Sequence, residues 1–145
     1  MQSNRFSLKP LTLFVEPEIE ILDKILHRLS NDWQVVSIGS ELSTFLVTQN
    51  DADQLSGIRQ WLDENLRAKT PGPVVCTDID LLFHPALKLD PLGLFRQLSR
   101  FTKLSVLWPG AYKGGVLTYA QPEHHHYHSW RNPEDVDIKG VNDAL

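Results

Sequence analysis

The chain has one cysteine and one methionine among its 145 residues, no glycine before Gly39 and no surplus of positive charge. A lone Cys76 cannot close an internal disulfide, and its place in an apolar run suits a small buried hydrophobe, so a reducing, cytoplasmic setting is expected. The formal charge of −4 and the pI near 5.8 disfavour direct nucleic-acid binding, which draws on a basic excess to neutralise phosphates. Residues 1–10 carry Arg5 and Lys9 but no signal-peptide core, and no later apolar run reaches the ~20 residues that span a bilayer. No membrane association is therefore expected.

What is present is the composition of a globular domain, 41% hydrophobic and 22% charged, at a length that suits one core. Leu11 to Val15 reads as a strand. Pro17 suits the first position of a helix whose Ile21, Leu22, Ile25, Leu26 and Leu29 form one stripe, with Glu18 and Glu20 at its start and Lys24, His27 and Arg28 towards its end. Trp33 to Ile38 reads as a second strand, and Gly39-Ser40 opens a short helix carrying Leu42, Phe45 and Leu46. Asp51 and Gln54 form a capping box for a further helix with Leu55, Ile58, Trp61, Leu62 and Leu66 inward. Val74 to Asp80 is a buried-type strand ending in acids, and Asp90-Pro91 caps a helix with Leu94, Phe95, Leu98 and Phe101 inward.

Leu104 to Trp108 gives a fourth strand, broken by Pro109-Gly110, and Val116 to Ala120 a fifth after Gly114-Gly115. Strands alternating with helices predict an α/β fold, a three-layer, mostly parallel sheet of about five strands, P-loop-NTPase-like in layout. The expected organisation is an N-terminal extension over 1–10, an α/β domain over 11–120, and an irregular C-terminal tail over 121–145 in which only Val136 to Val141 hints at a strand.

Ligands of open α/β sheets bind beyond the C-terminal strand ends, where this sequence gathers Glu16, Asp78, Asp80 and Trp108. Asp78 and Asp80 look like the magnesium-positioning acids of a Walker B strand, or else they cap the following turn. The phosphate loop that would accompany them, G-x-x-x-x-G-K-[ST], belongs after the first strand, but Glu16 to Asp23 reads E-P-E-I-E-I-L-D. Pro17 removes a donor there and the glutamates repel a triphosphate, so little or no nucleotide hydrolysis and no cofactor are expected.

His124 to His128 (H-H-H-Y-H) follows Pro122 with no cysteine near, which suits adventitious metal contact and no specific metal site. No nucleophile-elbow G-x-S-x-G occurs. Arg96, Arg100 and Lys103 at the end of the fourth helix complement its negative terminus, or act in trans on a neighbour's site. Trp108, Tyr112, Tyr119, Tyr127 and Trp130 are either packing or a docking surface. The Trp108–Ala120 segment is expected to present Tyr112 and Lys113 to a protein partner above a supporting Trp108, or simply to turn the chain.

V-V-S-I-G-S-E-L-S from Val35, Leu81-Leu82-Phe83 with Pro85, L-K-L-D-P-L from Leu87, Leu98 to Arg100, Trp108 to His124, and Tyr127 to Trp130 form a pattern. Together these segments resemble the BrxF family, the small P-loop protein of type 3 BREX phage-defence systems. The likeness runs roughly from Trp33 to Trp130 and is most specific in its Trp-Pro-Gly to Tyr-Ala stretch. It implies a prokaryotic defence component working beside a large ATPase, a DNA methyltransferase and an alkaline-phosphatase-like protein. Asp78 and Asp80 correspond approximately to the family's Walker B region, whereas no phosphate-binding residue carries over to 16–23. The resemblance thus implies a degenerate scaffold or adaptor; a small NTPase completed in trans with Mg-ATP, and a DNA-binding adaptor, are the alternatives.

Overall fold

A computed structural model describes residues 11–47, 51–68, 73–84, 89–119 and 128–140. In chain order the elements are β1 (Leu11–Glu16), α1 (Ile19–Leu29), β2 (Gln34–Ser37), α2 (Ile38–Val47), α3 (Asp51–Arg67), β3 (Val74–Thr77), a 3₁₀ turn (Asp80–Phe83), α4 (Pro91–Leu98), β4 (Leu104–Lys113), β5 (Val116–Tyr119), β6 (His128–Arg131) and β7 (Asp137–Lys139). The order β2-β3-β4-β1-β7 is parallel throughout, and β5 and β6 extend it antiparallel from β4 to make seven strands. This is the mostly parallel α/β sheet that the alternation of strands and helices predicts.

Period-two alternation assigns the two faces. Leu11, Leu13 and Val15 of β1, Val74 and Cys76 of β3, and Leu104, Val106 and Trp108 of β4 point to one side. There they bury Leu42 of α2, Ile58, Leu62 and Leu66 of α3, and Leu92 and Phe95 of α4. Phe14, Val75 and Leu107 point to the other side, against Leu22 and Ile25 of α1. Three layers result, with α1 on one face and α2, α3 and α4 on the other.

β4 departs most from the expectation, since Pro109-Gly110 does not break it. Pro109 makes the last pair of the ladder with β1, opposite Glu16, and Gly110 makes the first with β5, opposite Tyr119. Proline falls at the junction of two ladders, where a missing N–H interrupts neither. Gly110 is required because a Cβ there would lie 1.9 Å from the Thr118 carbonyl oxygen. The segment from Trp108 is thus a hairpin, closed by Gly114 and Gly115 at φ +57° and +79°, the positive values that a type I′ turn needs.

Other boundaries shift for local reasons. Glu18 stays extended, so α1 starts at Ile19 and Pro17 stands outside it. Phe101, expected inward, is 46% exposed because α4 ends at Leu98. Asp90 occupies the N-cap of α4 without a side-chain capping bond; its Oδ1 accepts from Trp130 Nε1 at 3.3 Å. Trp61 is half-buried, stacked on Phe45 at 5.2 Å, and not a core residue. The side chains of the Asp51–Gln54 capping box, with Leu46 and Leu55, lie outside the described residues. The tail supplies β6, which extends the hairpin, and β7, which flanks β1.

Gly110→Ala drives a methyl group into the Thr118 carbonyl and into the Trp108 indole nitrogen, 3.1 Å from the same Cβ. Urea unfolding is expected to show a loss of about 2 to 4 kcal/mol, in the range of an overpacked core position that also loses a buried hydrogen bond. A loss under about 0.5 kcal/mol, the usual scale of a surface change, contradicts the close approach.

Candidate functional site

The C-terminal edge of the parallel strands is built on the junction of β2 with α2. Ser37 ends β2 and caps α2: its hydroxyl accepts the Ser40 N–H at 3.3 Å and donates to Asp78 Oδ2 at 3.1 Å. Asp78 follows β3 with φ +59°, a left-handed conformation that Asp tolerates better than most residues, and its carbonyl accepts the Gly39 N–H at 2.9 Å. A Cβ on Gly39 would stand 2.5 Å from Asp78 Oδ2, so only glycine lets the carboxylate settle on the first turn of α2. The negative charge meets the positive end of the helix. Ser37 and Gly39 escape the sequence reading, which takes Ser37 as part of the second strand and Gly39-Ser40 as the opening of a helix, with no long-range partner for either.

Asp80 opens the 3₁₀ turn, and its Oδ1 accepts the hydroxyl of Tyr119 on β5. Tyr119 stacks on Phe83 with ring centres 3.6 Å apart, and Phe83 meets Trp108 edge-on at 5.3 Å. Trp108 is fully enclosed, meets Trp130 at 5.3 Å, and donates its indole N–H to the Thr118 carbonyl at 3.0 Å. Burial first, then the hydrogen bond to Asp80 and its charge, push the Tyr119 phenol far above the ordinary tyrosine range.

Asp78 and Asp80 form a ridge between two clefts. One, of about 610 Å³, is lined by Gly39, Ser40, Ser43, Leu81 and His84 beside the two acids. The other, of about 390 Å³, lies against the start of α1 and is lined by Ile19, Leu22, Asp23, Leu107 and Pro109 among others. Only Pro17 and Glu18 separate β1 from α1, so no loop wraps the second cleft where a phosphate cradle would stand. Asp23 lines it, and Glu18 and Glu20 are exposed at the same end of α1.

The remaining candidates are spread over the molecule. Tyr112, 44% exposed, and the exposed Lys113 stand at the outer end of the β4–β5 hairpin, with Trp108 buried at its base. Arg96 and Arg100 lie at and beyond the C-terminal end of α4, which leads into the start of β4, at the sheet edge opposite Asp78 and Asp80. Arg96 is half-buried, with Nε enclosed and unpartnered. Lys103 holds its ammonium 5.5 Å above the Trp33 ring. The run from His124 to Tyr127 and the side chain of His128 fall outside the described residues. Among the described residues, no group of three or more His, Cys, Asp or Glu could hold a metal ion, and no helix is long and apolar enough to cross a membrane.

Comparison with family models, curated proteins and solved structures returns no match.

The Tyr119–Asp80 contact has a pH signature. The phenol titrates higher when folded than when unfolded, so its stabilising contribution is complete below about pH 10 and declines as pH rises past the ordinary tyrosine value. Thermal unfolding of the native chain is expected to fall more steeply above pH 10 than that of Tyr119→Phe, and parallel curves contradict the raised phenol.

Proposed function

We propose that this chain is a non-catalytic, P-loop-like adaptor that works through protein contacts in a prokaryotic anti-phage assembly in the cytoplasm. One observation carries the non-catalytic half: the β1–α1 connection consists of Pro17 and Glu18, too short and too acidic to cradle phosphates. Backbone N–H groups of a wrapped loop and a lysine are what bind a nucleotide's phosphates in this layout, and the connection holds a proline and a glutamate in their place. The defence half rests on the resemblance of the Trp33–Trp130 region to the BrxF family, which makes a large ATPase and its companions the expected partners.

An NTPase completed in trans has less support. Asp78 already receives Ser37, Asp80 already receives Tyr119, and Arg100 sits at the far edge of the sheet from both. A DNA-binding role is weakened by the exposed acids at this edge of the sheet, Glu18, Glu20, Asp23, Asp78 and Asp80, which repel a phosphate backbone.

Tyr112 and Lys113 are the best-placed docking residues, because a strand pair with a defined turn holds them away from the body of the fold. Titration calorimetry with Mg-ATP is expected to show no saturable heat up to millimolar nucleotide, and a micromolar dissociation constant overturns the non-catalytic reading. The double substitution Tyr112→Ala with Lys113→Ala is expected to shift unfolding by no more than about 0.5 kcal/mol, as exposed positions do. It should nonetheless weaken co-purification with the large defence proteins; full recovery of every partner together with intact protection from phage excludes the hairpin as the docking site.

A further inference from the structure

The cleft at Ser40 does not end there. Ser40 also lines a neighbouring hollow of about 490 Å³ between α2 and α3, whose other described walls are Glu41, Thr44, Phe45 and Trp61. The two spaces share Ser40 and lead from Asp80 and His84, past the start of α2, to the half-buried Trp61. The far wall is a built surface. Gly57 leaves just enough room for the Phe45 ring, 3.2 Å from where a Cβ would stand, and Phe45 stacks on Trp61. The Asn65 amide, oriented by its partners, accepts from Trp61 Nε1 at 3.1 Å and donates to Glu41 Oε1 at 3.0 Å, fixing both side chains.

The chemistry of this groove is one-sided. Its described lining contains Glu41, Asp78 and Asp80 and no lysine or arginine, with the hydroxyls of Ser40, Ser43 and Thr44 between. Carboxylates exclude an anionic occupant such as a nucleic acid, and the aromatic pair favours a flat cation, which gains from an indole face as well as from the acids. Arginine fits both demands, since its planar guanidinium stacks on aromatic rings and bridges carboxylates.

We infer that the α2–α3 groove receives an arginine-rich, extended segment of a partner protein, with one guanidinium at Trp61 and Glu41 and another at the Asp78–Asp80 ridge. This deepens the adaptor reading by naming the partner's chemistry, and rests on that reading for the partner being a protein. The groove is distinct from the Tyr112–Lys113 hairpin, so its test is independent of co-purification.

The test is fluorescence polarisation of the purified full chain with a fluorescein-labelled hexa-arginine peptide in low salt, with Ser40→Lys as the groove variant. Asn31→Lys adds the same charge on the exposed turn after α1, away from the groove. Saturable binding at micromolar concentration is expected, weakened about tenfold by Ser40→Lys and less than about twofold by Asn31→Lys. If Ser40→Lys does not fold, Thr44→Lys, an exposed position in the same groove, takes its place. Failure of the native chain to saturate, or equal weakening by the groove and control variants, overturns the proposal. Absent peptide binding alongside normal recovery of defence partners removes the groove and leaves the adaptor; peptide binding at the groove without any such partners does the reverse.

Discussion

The fold turns on β4, a single strand that changes partners along its length. Its first half lies between β3 and β1 in the parallel layer, and its second half pairs antiparallel with β5. What makes the change of partner possible is the contact at its middle, where the enclosed Trp108 indole donates to the Thr118 carbonyl over a glycine that leaves the space free. A buried indole N–H without that acceptor would cost about 1 to 3 kcal/mol, comparable to a large share of a small domain's net stability. Because Thr118 neighbours Tyr119, the same contact sets where the tyrosine ring stacks and therefore which acid its hydroxyl reaches.

Electrostatics follow from topology. Helices that return between parallel strands run against them, so their N-termini collect at the C-terminal edge of the sheet and their C-termini at the other. Acids favour the first and bases the second. Asp78 on α2, Glu18 and Glu20 on α1 and Asp90 on α4 obey this rule, as do His27 and Arg28 at the end of α1 and Arg96 at the end of α4. In a nucleotide-binding sheet the same positive helix ends hold phosphate. Here carboxylates of the chain itself stand near those ends, which leaves the edge with negative charge to offer.

Much of this was open to a reading of periodicity. The Leu11–Val15, Val74–Val75–Cys76 and Leu104–Trp108 runs are buried on both faces and so read as continuous apolar strands, and the Ile21 to Leu29 stripe identifies α1 without ambiguity. Punctuation misled where tertiary context outweighed it. Pro109-Gly110 signals a break in isolation, yet proline at a change of ladders costs no bond and glycine is what the crossing backbone demands. Phe101 continues the α4 stripe on paper, although the helix has already ended. β6 is short and polar, made a strand by the edge it completes, whereas β7 falls inside the Val136 to Val141 stretch that hints at a strand. The pairing of Asp80 with Tyr119, 39 positions apart, and of Ser37 with Asp78, 41 apart, leaves no local trace.

Those two long-range bonds also connect the surfaces that remain available. Asp78 and Asp80 stand on one short turn after β3; the first fixes the start of α2 and with it Ser40, Glu41 and Phe45, and the second holds Tyr119 beside the strand that carries Tyr112. The Phe83 ring, on the turn that Asp80 opens, fills the space between Tyr119 and Trp108, so the turn cannot tilt without moving the hairpin's base. Close-packed aromatic contacts of this kind transmit displacement because they leave no void to absorb it. The groove along α2 and the outer end of the hairpin are thus connected through the two acids that follow β3. On the proposed adaptor reading, partners at the two ends would stand in a set relative position, which is the property a scaffold requires and a flexible linker lacks.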